Sequence, residues 1–266
     1  MNSNAAGNFI ERLTWDQVAE RLAQGAAAIL PIGAAAKQHG FHLPMNTDRV
    51  QAEWLAARIA ERIDAVIWPT LTFGYYPAFV AYAGSASLSA PVFESLVQEV
   101  AAGILGFGCH ALFVLDTGIS TLAPVERALA RLGNANVLHL KSHDGPRYRR
   151  ASEQLAAQSH GSHADELETS LMLALASHLV NMARAEASPA LQQEAAGALT
   201  PLDRASPNYS RSGSFGDPTL ATQAKGRILL AAVLDDLTVS VEAFLAGKAA
   251  ASAAPYGFHQ HRQVSQ

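Results

Sequence analysis

Ala27-Ala28-Ile29-Leu30-Pro31-Ile32-Gly33 runs directly into Ala34-Ala35-Ala36-Lys37-Gln38-His39-Gly40-Phe41-His42-Leu43-Pro44-Met45-Asn46-Thr47-Asp48. The first seven residues read as a buried strand, apolar throughout and closed by glycine. The stretch after it crowds two histidines and a carboxylate into ten residues. Imidazole nitrogens and a carboxylate at the end of a strand are donors suited to a divalent metal such as Zn, Mn or Fe.

Further runs of the same kind follow. Ala65–Pro69, Ala111–Leu115 and Asn136–Leu140 read as three more strands, and the entirely apolar Ala111–Leu115 implies cover on both faces. Between them, Arg49 to Ile63 carries apolar residues at helical spacing (Val50, Trp54, Leu55, Ile59, Ile63), and Pro91 to Phe107 has proline at its start. Val125 to Leu132, Asp165 to Met182 and Thr219 to Leu245 complete the expected helices. Strand–helix alternation predicts a single α/β domain, a three-layer α/β/α arrangement around a mostly parallel sheet. Sites in such folds lie at the carboxyl ends of the strands. That rule gathers three segments on one rim: the Lys37–Asp48 loop, the Gly74–Leu88 loop with Tyr76 and Ser85, and Asp116-Thr117-Gly118-Ile119-Ser120. The ends, about 1–10 and 248–266, are expected to be loose, with His259 and His261 exposed in the tail.

The 266 residues, 49% hydrophobic and 16% charged, suffice for a sizeable core. A net charge of −4 argues against nucleic acid as the main partner. The most basic stretch, Pro146-Arg147-Tyr148-Arg149-Arg150, reads as a solvated loop or a local anion contact. One cysteine, Cys109, excludes an internal disulfide, suits a reducing cytoplasm and reads as a small buried residue. No signal peptide and no membrane-length apolar stretch is evident.

Four motifs resemble the creatininase family of metal-dependent amidohydrolases. Lys37-Gln38-His39-Gly40-Phe41-His42-Leu43-Pro44, followed by Thr47-Asp48, is similar to that family's Glu-x-His-Gly-x-His-Leu-Pro and Thr-Asp. His163-Ala164-Asp165-Glu166-Leu167-Glu168-Thr169-Ser170 resembles its His-Ala-Gly-Glu-x-Glu-Thr-Ser. Gly216-Asp217-Pro218, with Ala221-Thr222 and Lys225-Gly226, resembles a third segment, read here as mainly architectural. Tyr82-Ala83-Gly84-Ser85-Ala86-Ser87-Leu88 resembles a fourth, near the substrate in the family.

The resemblance implies the creatininase fold, hydrolysis of a non-peptide amide C–N bond of a small molecule such as a cyclic amide or formamide, and a homo-oligomer, often a hexamer. It implies metal binding by His39 and Asp48, an orienting role for His42, and proton transfer or water positioning by His163 and Glu168. Asp116, Ser85 and Tyr76 are the expected substrate contacts.

Two departures matter. Lys37 stands where the family has a metal-binding Glu, and Gly118 stands where its strand-three motif has the partner His. One of two metal positions therefore looks deleted, leaving at most one divalent ion, with a metal-free site as the alternative. Lys37 either supplies the missing positive charge beside Asp48, and so a catalytic role, or points to solvent. A one-residue slip in the inserted Ala34–Ala36 run would offer Gln38 instead. A third ligand would come from Glu168, Asp116 or His163, and Gly118 is expected to hold a positive φ. The rival readings are a metal-free lactonase, isomerase or lyase on this scaffold, and a non-catalytic binding protein.

Overall fold

The computed structural model of the chain describes residues 7–188 and 197–253. Four parallel strands form the sheet: β1 (Ala27–Ile32), β2 (Ala65–Ile67), β3 (Leu112–Asp116) and β4 (Val137–Lys141), in the order β2-β1-β3-β4. β1 and β3 pair in register from Ala28–Leu112 to Ile32–Asp116. They are buried residue by residue, as their apolar sequences require.

Helices cover both faces. α2 (Thr47–Ala60) and α7 (Gln223–Ala253) lay Leu55, Ile59, Val233 and Leu237 on Ile29, Phe113 and Leu115. On the other face, α3 (Ala90–Gly106) and α4 (Leu122–Leu132) lay Phe93, Val97, Ile104 and Val125 on Leu30, Leu112 and Val114, with Cys109 buried among them. The remaining helices are α1 (Trp15–Ala23), α5 (Pro146–Leu155) and α6 (Glu166–Ala176).

The differences from the sequence reading have physical causes. Pro146–Arg150 is the first half of α5, not a loop. Its exposed N–H groups are met by a residue far away in sequence, Asp236 of α7, whose Oδ2 accepts from the Arg147 and Tyr148 amides at 2.9 Å each. α6 stops at Ala176 rather than Met182, because the chain turns toward the His42 loop, whose carbonyl accepts from the Asn181 amide at 2.9 Å. The N-terminal stretch is tied down by Asn8: its carbonyl accepts from Ile67 N–H at 2.7 Å and its side chain donates to the Ala60 carbonyl at 3.1 Å. The last helix continues to Ala253, and His259 and His261 lie outside the described residues.

After β1 the chain moves to β2 on one side, then to β3 on the other. The crevice between the carboxyl ends of β1 and β3 is therefore a topological switch point, where ligands bind in such sheets.

Candidate active site

The loop after β1 carries Lys37, Gln38 and His39 over that crevice, and α2 begins at its far side with Asp48 in the first turn. Gly33 is required there, since a Cβ on it would sit 2.5 Å from the Asp48 carbonyl. The Thr117 hydroxyl, just after β3, donates to the Ile32 and Asp48 carbonyls at 3.1 Å each and ties the three segments together.

Asp48 has two partners. Lys37 Nζ lies 2.7 Å from its Oδ2, and His39 Nε2 lies 2.9 Å from its Oδ1. Burial pushes this carboxyl up, but the Lys37 ammonium and His39 overcome that and hold it well below the usual carboxylate range. Lys37 is only 7% exposed and stands over the Phe79 ring, 5.2 Å from its centroid, so the solvent-pointing reading fails. The slipped alignment fails too. Gln38 is bound elsewhere, donating to the Gly213 carbonyl at 2.9 Å and accepting from Gly40 N–H at 2.8 Å.

α6 brings the second half of the site. Asp165 caps it, accepting from the Glu168 amide at 2.9 Å, so His163 and Glu168 sit at the rim. Ala164, between them, is held at φ 47°, and its N–H donates to Glu168 Oε2 at 2.6 Å. His163 and Phe215 exchange backbone hydrogen bonds across a short antiparallel bridge.

Both imidazoles are oriented by backbone carbonyls. His39 Nδ1 donates to the Lys37 carbonyl at 2.9 Å, and His163 Nε2 donates to the Gln38 carbonyl at 2.8 Å. That leaves His39 Nε2 facing Asp48, with Glu168 Oε1 at 3.7 Å, and His163 Nδ1 facing Glu168 Oε2 at 3.8 Å. Burial, then the charges of Lys37 and His39, push His163 far below its ordinary value, so its Nδ1 presents a lone pair. His39, His163 and Glu168 each offer one ligand atom within 4.8 Å of the others. A lone pair aimed at carboxylates needs a proton or a cation between them. Second nitrogens fixed by carbonyls are the usual outer support of metal-binding histidines. The donor set thus fits a divalent metal.

The other expected residues are placed as follows. His42 is buried and its Nε2 meets the Thr169 hydroxyl at 2.8 Å, with burial pushing its pKa down to about 4. It ties the loop to α6 and lies outside the His39 group. Asp116 accepts from the Gly118 amide at 2.9 Å and the Thr121 hydroxyl at 2.7 Å, and turns its other oxygen toward His139. It is not gathered with His39, and with Tyr76 it lines only a small cavity of about 20 Å³ beside Lys37 and Asp48. Ser85 lines none of these cavities; its hydroxyl accepts from the Gln38 amide at 3.0 Å. Gly118 does not hold a positive φ; a side chain there would run into the Thr121 hydroxyl.

A profile described as "Creatininase: Creatinine amidohydrolase" matches residues 11–241. The chain belongs to the creatininase family. It is 27% identical over 244 residues to the creatinine amidohydrolase of Pseudomonas putida, spanning 84% of this chain and 91% of that one. It is 25% identical over 229 residues to the mycofactocin precursor peptide peptidase of Mycobacterium ulcerans, spanning 78% and 81%. A solved manganese creatininase superposes with a TM-score of 0.78 at 24% identity, covering 89% of this chain and 98% of that one, which shows the shared fold.

This creatininase-family site also contains residues the sequence did not single out. A cavity of about 260 Å³ over Lys37, Asp48 and Glu168 is walled by His143, Tyr148 and Ser152. His143 follows β4 and is half-buried; the desolvation of its ring pushes its pKa down, and its Nδ1 has no partner. A lone histidine in Lys141-Ser142-His143-Asp144 has no spacing signal; only the fourth strand end on the same rim could have pointed to it.

Proposed function

We propose that the protein is a metal-dependent hydrolase of a non-peptide amide C–N bond in a small molecule, working with one divalent ion held by His39, His163 and Glu168 beside Asp48. The observation that carries this reading is the convergence of two carbonyl-anchored imidazoles on Glu168: His39 Nε2, bonded to Asp48 Oδ1, has Glu168 Oε1 at 3.7 Å, and the free Nδ1 of His163 has Glu168 Oε2 at 3.8 Å. When bound, such an ion polarises a carbonyl and lowers the pKa of water.

The chain's own groups do the rest. Lys37 neutralises Asp48 Oδ2 and leaves Oδ1 to fix His39. In that arrangement the ammonium supplies the positive charge that the family's Glu and His would otherwise have brought as a second ion. Glu168 is the least buried acid of the group, with its side chain 18% exposed to the cavity. One of its oxygens would hold the ion, and the other takes a proton from the attacking water and returns it to the leaving nitrogen. His163 is neutral and accepts at Nδ1, so its part is to hold rather than to donate. A cytoplasmic homo-oligomer belongs to the same reading. The metal-free and non-catalytic alternatives leave the His163 lone pair, aimed at the Glu168 carboxylate, unexplained.

The test is to load the purified protein with Mn or Zn and assay ring opening of cyclic amides and deformylation of formamides. Turnover that a chelator abolishes and metal restores is expected. Undiminished turnover in metal-free protein contradicts the reading.

A further inference from the structure

Two cavities adjoin at the Phe79–His163 pair, whose rings lie 4.1 Å apart. The larger, about 260 Å³, is the one above Glu168. The second, about 200 Å³, is walled by Ala78, Phe79, Ile119, Leu199 and Phe215. Phe79, Ile119, Ser120, Ser162 and His163 line both, so the two are continuous.

The second cavity is preformed. Phe79, Leu199, Ala78 and Phe215 belong to one apolar cluster with Tyr76 and Tyr82, and the Leu199 amide donates to the Ala78 carbonyl at 2.8 Å. Ile119, by contrast, is 58% exposed where the cavities meet. Ile119 thus stands where a carboxylate-lined cavity meets one with an apolar far wall and a few polar groups, the lining that small-molecule sites show. The size is adequate, since an apolar cavity of about 150 Å³ lined by Leu, Ile and Phe takes up benzene.

We propose that this cavity is a substrate subsite for an aryl or branched-alkyl substituent, carried by the same molecule whose amide group lies beside Glu168 and His163. The inference rests on the hydrolase reading above and adds the substrate class: small amides bearing one hydrocarbon arm. Phe79 and Ile119 would hold the junction, and Leu199 and Phe215 the far wall.

Hydantoin, a five-membered cyclic amide, and 5-benzylhydantoin are the probes. Calorimetry on the Mn-loaded full chain gives their Kd values, or KM where the ring is opened. The benzyl compound is expected to be favoured at least tenfold. Leu199→Trp fills the cavity and is expected to bring the ratio within twofold. Ile119→Asp, at an exposed position that folding does not depend on, is expected to cut it at least fivefold. If hydantoin binds and the benzyl group gains less than twofold, the subsite is refuted while the hydrolase reading stands. A benzyl preference that persists in both variants also refutes it. If neither ring binds, the subsite is refuted, while the hydrolase reading is decided by the metal-dependent turnover of the other cyclic amides and formamides.

Discussion

At Asp165 one carboxylate does two opposed things. It caps α6 through the Glu168 amide and accepts from Gln158 Nε2 at 2.7 Å, yet burial raises its pKa from the usual carboxylate range to about 6. The folded pKa lies above the unfolded value of about 3.9, so the native state binds the proton more tightly. The resulting stability is fully present below about pH 4 and is lost as pH rises through about 6. Asp165→Asn removes that dependence. Its amide faces the Gln158 donor at every pH, a constant cost, so the informative quantity is the change with pH. Between pH 4 and pH 7 the Asn variant should gain on the order of 2–3 kcal/mol relative to wild type. Urea unfolding of the metal-free protein at both pH values checks this, and a flat difference contradicts it. His39, Asp48, His163 and Glu168 could be singled out in the sequence because each pair lies within a short motif that resembles one of the family's, and the fold brings the two motifs together. Asp116 and Ser85 were not legible in their roles. Each carries the right functional group, but its hydrogen bonds go to Thr121, Gly118 and Gln38, partners that only the folded loops bring near.

α6 is positioned by α7, and Gly226 sets the distance. A Cβ there would collide with the Ser170 carbonyl and reach Ala174, so the helices touch backbone to backbone. The Ser170 hydroxyl accepts from Thr222 N–H at 3.1 Å, and Lys225 pairs with the buried Glu166. Gly226→Ala should therefore destabilise the fold by about 1–3 kcal/mol through overpacking. It should also weaken metal binding, because His163 and Glu168 ride on the displaced helix start. Thermal unfolding and metal titration of the same variant check both, and unchanged metal affinity would mean that α6 is held by other contacts. The strands were readable because fully buried parallel strands are apolar end to end. α5 was not: its sequence is polar, with four charged residues in ten, and what stabilises its first turn is Asp236, 89 residues beyond Arg147. α6 was read too long because its stop comes from the His42 carbonyl, again a distant partner.

At the scale of the whole molecule, the sheet order places the loops after β1 and β3 side by side, and the two departures from the motifs that the resemblance supplies, Lys37 and Gly118, lie on either side of that seam. Lys37 is buried against Asp48, so its charge is built into the site rather than appended to it. One side of Asp48 is closed by an ammonium, and on the proposed reading one ion would belong to the other side with His39, His163 and Glu168. Lys37→Glu alone should not create a second metal position, since Gly118 offers no imidazole. The double change Lys37→Glu with Gly118→His should, once the Thr121 side chain rotates away from the new Cβ. The most direct test is metal per chain, by elemental analysis of folded wild-type and double-mutant protein loaded with Mn or Zn. One ion per wild-type chain, rising toward two in the double mutant, is the predicted result. Two ions per wild-type chain, or none, would contradict it.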